Sequence, residues 1–160
     1  MAGVNLEDSR SGHLVDPVVV ASKIAAIKCR TPDIFVNARV DNFWFAEDPT
    51  VDAVLRRAHA YADSGADGIF VPGLAAQDLP SITAGIRLSG KVLAHPTMTV
   101  AELGKLGVKR VSSGSLPNRA AVDAAVSIAN ALRENNPLPA ATPYWEMQSQ
   151  LIAIRQSLND

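Results

Sequence analysis

Five short segments of the sequence end in residues able to bind an anion, a cation or a proton. Asn5, Glu7 and Asp8 close the first, and Asn37, Arg39 and Asp41 close the second. Pro72-Gly73 ends the third, His95-Pro96 the fourth and Ser112-Ser113-Gly114-Ser115 the fifth. Side chains alternate along a strand, so Asn5 shares a face with Glu7 and Asn37 shares one with Arg39. If those faces look into one site, a carboxylate and a guanidinium converge there. The arginine fork suits a carboxylate or phosphate because it can hold two oxygens. Glutamate suits a hydrated divalent cation or a proton transfer.

Each residue also has a plainer reading. Glu7 and Arg39 could pair with each other inside a barrel. Asp8 and Asp41 could cap loops, and His95 before a proline could be a hydrogen-bonded loop histidine. Ser113-Gly114-Ser115 opens a helix, where it either cradles an anion on backbone N–H groups or serves as an N-cap. Cys29 stands at a helix end away from the strand tips, which argues against a nucleophile. Phe43-Trp44-Phe45 follows the second segment and either walls a pocket or covers a barrel end. No Walker, GxGxxG, HExxH or GxSxG motif is present.

The elements that must position these residues are legible from periodicity. Gly3–Leu6, Ile34–Ala38, Gly68–Val71, Lys91–Ala94 and Lys109–Ser112 are short runs rich in Val, Ile, Leu or Phe. Strands of a parallel sheet covered on both faces read this way. Helices lie between them. Asp16-Pro17 and Asp48-Pro49 supply an acid followed by a proline at a helix start. Val51, Val54, Leu55, Ala58, Tyr61 and Ala62 form an apolar stripe that Gly65 would stop. A shorter helix is expected over Leu79–Leu88. Thr99 and Glu102 have capping-box spacing, and Gly107 would close that helix. Val122, Ala125, Val126, Ala129 and Leu132 make a further stripe. This alternation specifies parallel βαβ units, either an open doubly wound sheet or part of a (β/α)8 barrel. In both, ligands bind beyond the C-terminal strand ends, where the residues above cluster.

Pro137, Pro139 and Pro143 then mark a connector. Beyond it Met147, Leu151, Ile154 and Leu158 repeat at helical spacing, giving an amphipathic terminal helix that packs on its own domain or on a neighbouring subunit. The expected division is residues 1–135 for the strand–helix body and 136–160 for the connector and terminal helix.

Composition excludes several classes. Of 160 residues, 48% are hydrophobic and 19% charged, a globular balance that argues against disorder. A formal net charge of −1 gives no electrostatic footprint for nucleic acid or an anionic membrane. The single cysteine excludes an internal disulfide framework and a multi-cysteine zinc site. No apolar run approaches the roughly 20 residues that span a bilayer, and the first residues lack signal-peptide character. A soluble, cytoplasmic protein is the expectation.

Four segments together resemble the isocitrate lyase and phosphoenolpyruvate mutase superfamily. They are Gly3-Val-Asn-Leu-Glu-Asp8, Phe35-Val-Asn-Ala-Arg-Val-Asp41, Arg57 through Gly73, and Glu102-Leu-Gly-Lys-Leu-Gly-Val-Lys-Arg-Val-Ser112. They stand in the family's order at about its spacing, over roughly residues 3–135. The resemblance implies an α/β fold: a partial (β/α)8 TIM-type barrel of about five parallel strands with helices, corresponding to strands four to eight. Its tail, Thr142–Asp160, resembles a C-terminal helix that family members swap between subunits.

The resemblance also implies a chemistry. Family members make or break C–C or P–C bonds beside an oxyacid through a Mg2+-stabilised enolate, where cationic groups lower the energy of oxyanion charge. Glu7 matches the glutamate that holds a metal-bound water, and Arg39 matches the arginine that contacts the substrate's carboxylate or phosphonate. Asn37 and His95 are the further substrate-binding candidates at the strand ends. The implied substrate is a small 2-oxo acid or phosphonate, the implied cofactor is Mg2+, and the implied assembly is a homo-oligomer.

This sequence also departs from the family pattern. The family's first three strands, with aspartates that organise the metal, have no counterpart here. Where the family often has a gating loop with a lysine, and in lyases a cysteine, this chain reads Ser9-Arg-Ser-Gly-His-Leu-Val15. A complete barrel of this type takes about 250 residues. The expectation is therefore a lyase, hydrolase or mutase site that is weak or inactive in this chain alone. Two further readings are a non-catalytic oligomeric or small-molecule-binding remnant, and an unrelated flavodoxin-like sheet binding a nucleotide or phosphate near Ser112–Ser115.

Overall fold

The computed structural model describes residues 2–86, 89–93 and 96–158. In chain order, β1 (Gly3–Glu7) leads into two short strands, β2 (Ser9–Arg10) and β3 (His13–Leu14). Then come α1 (Pro17–Arg30), β4 (Phe35–Arg39), α2 (Asn42–Phe45), α3 (Val51–Asp63) and β5 (Gly68–Phe70). These are followed by α4 (Leu79–Gly85), β6 (Ser89–Leu93), α5 (Val100–Lys105), β7 (Arg110–Ser112), α6 (Leu116–Arg133) and α7 (Tyr144–Ser157). Packing divides the chain into two compact units, Met1–Gly114 and Ser115–Asp160.

In the first unit the five long segments pair in parallel in the order β1-β4-β5-β6-β7. Neighbours in the sheet are thus neighbours in sequence. A flavodoxin-like sheet would place its second strand outside its first, so that alternative is excluded. The sequential order is that of a barrel wall, and the fold is the expected partial (β/α)8 barrel. The register pairs Asn5 with Asn37, Glu7 with Arg39, and Arg39 with Phe70. Residues at one height on three strands therefore form a row.

Local chemistry explains the helix boundaries. Asp16 caps α1 by accepting from the Val18 N–H, with Pro17 at the first helical position, where its missing N–H costs nothing. The same device does not operate at Asp48-Pro49. Thr50 is the cap of α3: its hydroxyl accepts from the Ala53 N–H, and it donates to Asp48. Asp48 itself sits at φ 44° and cannot begin the helix. The Thr99–Glu102 capping box forms as expected. Gly65 and Gly107 stop their helices at φ 100° and 91°, a backbone region that side chains disfavour. α4 is helical through Gly85; residues 87–88 of its expected span lie outside the described residues.

The core lies on the helix-covered face of the sheet. Val36 and Ala38 of β4 and Ile69 of β5 are fully buried against Val20 and Ile24 of α1 and Val54 and Tyr61 of α3. Burying each large aliphatic side chain contributes about 1.5–3 kcal/mol. Lys28 pins the end of α1 to the sheet. Its ammonium donates to the carbonyl of Ile34 at 2.8 Å and meets the Asp67 carboxylate at 2.7 Å. Asp67 in turn accepts from the Val36 N–H at 2.7 Å, so one charge pair ties α1, β4 and the approach to β5.

Residues 9–14 form a hairpin. Ser11 and Gly12 both take positive φ, 53° and 84°, between the paired strands β2 and β3. This is the two-residue hairpin turn whose twist matches that of the strands. The aromatic run Phe43-Trp44-Phe45 forms most of the short α2.

In the second unit α6 and α7 have no buried residues among those described. The predicted stripes are present as helices, but Val122, Val126, Leu132, Met147, Leu151, Ile154 and Leu158 are all exposed. No described helix is long and apolar enough to cross a membrane.

Candidate functional site

The C-terminal ends of β1 and β4 place Glu7 and Arg39 side by side, one row above Asn5 and Asn37. Arg39 Nη1 donates to Glu7 Oε1 at 2.8 Å. Arg39 Nε donates to Asp41 Oδ1 at 2.6 Å, a charge-assisted bond. The Arg39 guanidinium carbon also lies 5.5 Å from the Trp44 ring centre and 5.8 Å from that of Phe70, within cation–π range. The side chain of Arg39 is 17% exposed, so the guanidinium reaches the surface only in part.

Below this arginine lies a network centred on two fully buried carboxylates. Asp41 accepts from Ser9 Oγ at 2.8 Å, and its backbone N–H donates to Asp8 Oδ1 at 2.9 Å. Asp8 Oδ2 accepts from Tyr61 Oη at 2.9 Å and from Arg57 Nη1 at 3.0 Å. Arg57 also donates to the Val15 carbonyl. Asp8 and Asp41 have no exposed surface. Burial above all pushes the Asp8 carboxyl above its ordinary value, against the Asp41 N–H, the Tyr61 hydroxyl and Arg57, which all favour the charged form. Burial, followed by the charge of Asp8, pushes the Tyr61 hydroxyl up, so it remains a proton donor to Asp8.

The plainer reading of Asp8 and Asp41 as loop caps does not describe them. Asp41 occupies the position before α2 yet makes no side-chain cap bond, because its carboxylate is spent on Arg39 and Ser9. The pairing of Glu7 with Arg39, raised as an alternative from sequence, is present. Asn37 is 3% exposed. Its Nδ2 donates to Asn5 Oδ1 at 2.6 Å, and its Oδ1 accepts from Arg110 Nη1 at 3.2 Å. His95 lies outside the described residues. Ser115 makes no cap bond at the start of α6, while Ser112 Oγ accepts from the Gly114 N–H.

Ser9, Arg57 and Tyr61 belong to this cluster and were not singled out from sequence. Arg57 and Tyr61 are four apart on α3, on one helix face. An arginine in register with a tyrosine inside an apolar stripe was the available signal; alone it reads as core plus a solvated charge.

The family profile of phosphoenolpyruvate phosphomutase matches residues 1–133. The chain belongs to this family. An uncharacterized protein of Mycobacterium tuberculosis (strain ATCC 25618 / H37Rv) is 44% identical over 152 residues, covering 94% of this chain and 59% of that protein. The crystal structure of a candidate phosphonomutase from Burkholderia cenocepacia J2315 is 39% identical with a TM-score of 0.75, covering 80% of this chain and 56% of that one. A phosphonopyruvate hydrolase in complex with oxalate and Mg2+ is 25% identical with a TM-score of 0.73, covering 98% of this chain and 60% of that one. This family member thus spans about 59% of the length of the two mycobacterial relatives it matches.

The described residues of this phosphomutase-family chain do not by themselves fit Mg2+. Near-octahedral coordination calls for several oxygens turned to one point. Among the described residues no three His, Cys, Asp or Glu side chains gather in that way. Asp8 and Asp41 are enclosed and committed to their donors, and Glu7 is held by Arg39.

Proposed function

We propose that this chain carries the substrate-anion end of an enolate-forming site, acting on a small 2-oxo acid or a phosphonate. The supporting observation is the setting of Arg39: a partly exposed guanidinium at the strand ends, with its Nε fixed by a fully buried carboxylate. In this reading an Nη group of Arg39 holds one carboxylate or phosphonate oxygen. Its charge then stabilises negative charge that develops on the adjoining oxygens as a C–C or P–C bond breaks. Asp41 and Ser9 keep the guanidinium from turning, and Trp44 and Phe70 restrict water at its side. Asn37 orders the row beneath by joining Asn5 to Arg110.

Mg2+ belongs to the parent activity that the family suggests, and Glu7 is the proposed residue to hold a water on it. No three potential metal ligands gather among the described residues here, so turnover by the 160-residue chain is proposed to be weak or absent. A homo-oligomer is the proposed assembly, with the exposed apolar residues of α6 and α7 supporting that reading.

The test is binding and turnover together. The chain is expected to bind oxalate, to lose that binding in Arg39→Gln, and to turn over oxaloacetate or phosphonopyruvate slowly or not at all with Mg2+ present. Oxalate binding unaffected by Arg39→Gln would overturn the assignment. A non-catalytic binding module is the second reading, supported by the enclosure of Asp8 and Asp41, with no three potential metal ligands gathered among the described residues. Mg2+-dependent turnover at ordinary enzymatic rates, about 1 s−1 or more, would exclude it.

A further inference from the structure

Two carboxylates flank Arg39, and they differ in every respect that governs exchange. Asp41 has no exposed side-chain surface, while the Glu7 side chain is 52% exposed. Asp41 is held at both oxygens, by Arg39 Nε at 2.6 Å and by Ser9 Oγ at 2.8 Å, and its own N–H is held by Asp8. Glu7 has one hydrogen bond, from Arg39 Nη1 at 2.8 Å. Asp41 takes the inner Nε, so an incoming anion meets the guanidinium at the Nη groups, and Glu7 occupies one of these.

We propose that Glu7 is the exchangeable occupant of the Arg39 anion site: a ligand carboxylate or phosphonate displaces the Glu7 carboxylate from Nη1, while Asp41 stays bound to Nε as the positioning residue. The proposal rests on the reading of Arg39 as the anion receptor. The exchange replaces one charge-assisted hydrogen bond with another, so its net cost is that of a half-exposed ion pair, which is small. Losing Asp41 instead would leave a buried carboxylate without its cation, which is far more expensive. Glu7 thus sets a threshold that a weakly basic or singly contacting anion does not pass. It also leaves the site neutralised when no ligand is present.

The experiment is calorimetric titration of the chain with oxalate and, separately, with methylphosphonate, in EDTA without added metal. The variants are Glu7→Gln, Asp41→Asn and Arg39→Gln, with denaturation midpoints measured in parallel. Glu7→Gln is expected to bind oxalate about fivefold more tightly than the parent chain, the equivalent of one weak exposed ion pair removed. Its denaturation midpoint is expected to change little. Asp41→Asn is expected to lower the midpoint and to show no such tightening. A crystal of the oxalate complex is expected to hold Glu7 more than about 4 Å from Arg39 Nη1, beyond ion-pair range, with the Asp41–Nε bond kept.

Equal or weaker binding of both oxalate and methylphosphonate by Glu7→Gln, with binding still lost in Arg39→Gln, would overturn the exchange and leave the receptor reading standing. Equal tightening in Asp41→Asn would also overturn it, since a general charge effect would then explain the gain. A persistent Glu7–Arg39 bond in the complex would do the same. Oxalate binding that survives Arg39→Gln removes the receptor reading and the exchange together. Methylphosphonate tightening without oxalate tightening assigns the exchange to phosphonates; the reverse assigns it to carboxylates.

Discussion

Arg57 and Asp8 meet at 3.0 Å across 49 positions of sequence, and the carboxylate between them and Tyr61 has no exposed surface. This contact joins the third helix to the tip of the first strand. Asp8 passes the constraint on through the backbone N–H of Asp41, which holds Arg39. Arg39 is therefore set, through Asp41, by a charge pair that it does not itself touch.

Breaking that pair should be costly. Arg57→Ala leaves a buried carboxylate without its cation, and the loss of stability should be about 3–5 kcal/mol. Tyr61→Phe removes one donor to the same oxygen and should cost about 1–3 kcal/mol. Urea denaturation followed by circular dichroism checks both. A loss below 1 kcal/mol for Arg57→Ala would mean that Asp8 is neutral in the folded chain.

Asp67 should make stability depend on acid. Partial burial pushes its carboxyl up, but the hydrogen bonds from Lys28 and then from the Val36 N–H outweigh this and hold it below the ordinary 3.8. The folded state thus binds the proton less readily than the unfolded chain. The Asp67 contribution is present above the unfolded value and is lost as pH falls through the lower folded one. The gap in denaturation midpoint between the parent chain and Asp67→Asn should stay constant from pH 7 to about 5 and close below about pH 4. A gap unchanged at pH 3 would count against the pairing.

The hairpin after β1 should loosen from one end. Glu47 accepts from His13 Nδ1 at 2.7 Å and from the Leu14 N–H at 3.1 Å. The Val15 N–H instead donates to the Asp8 carbonyl at 3.0 Å. In Glu47→Ala the Leu14 amide should exchange with solvent severalfold faster, with Val15 little changed. Hydrogen exchange by NMR reads both amides. Equal acceleration at the two would show that the hairpin opens as one piece with the strand.

Gly68 should accept a side chain only at a cost. A Cβ there would stand 3.1 Å from Asn37 Oδ1, 3.2 Å from Phe35 Cζ and 3.3 Å from Arg110 Nη1. Arg110 crosses this space to reach Asn37, with its guanidinium carbon 4.8 Å from the centre of the Phe35 ring. Gly68→Ala should therefore cost about 1–3 kcal/mol by overpacking. A thermal or urea midpoint checks it, and Arg110→Ala in the same background should recover part of the loss by vacating the space.

The local part of the fold was legible in the residues. Asp16, Thr99 with Glu102, and Gly65 act through neighbours within a few positions, so their types alone fix where helices begin and end. A misplaced helix start, Asp48 for Thr50, shows the limit of that rule: two capping residues stood two apart, and backbone conformation chose between them. Strand alternation likewise put Asn5 with Glu7 and Asn37 with Arg39 before any pairing was known.

What the sequence by itself determined was periodicity, capping and the kinds of residue at the strand ends, all properties of short stretches of chain. Periodicity alone did not order the sheet, an order that only the family resemblance implied, and it did not choose between Arg39 as receptor and Arg39 as partner of Glu7. Those depend on register between strands about 30 residues apart, which matched Glu7 to Arg39 and left the Glu7 side chain half in water. Tertiary structure alone brought Ser9, Arg57 and Tyr61 to Asp8 and Asp41. A charged residue enters a core only where distant donors converge on it, and no single stretch of chain contains that information.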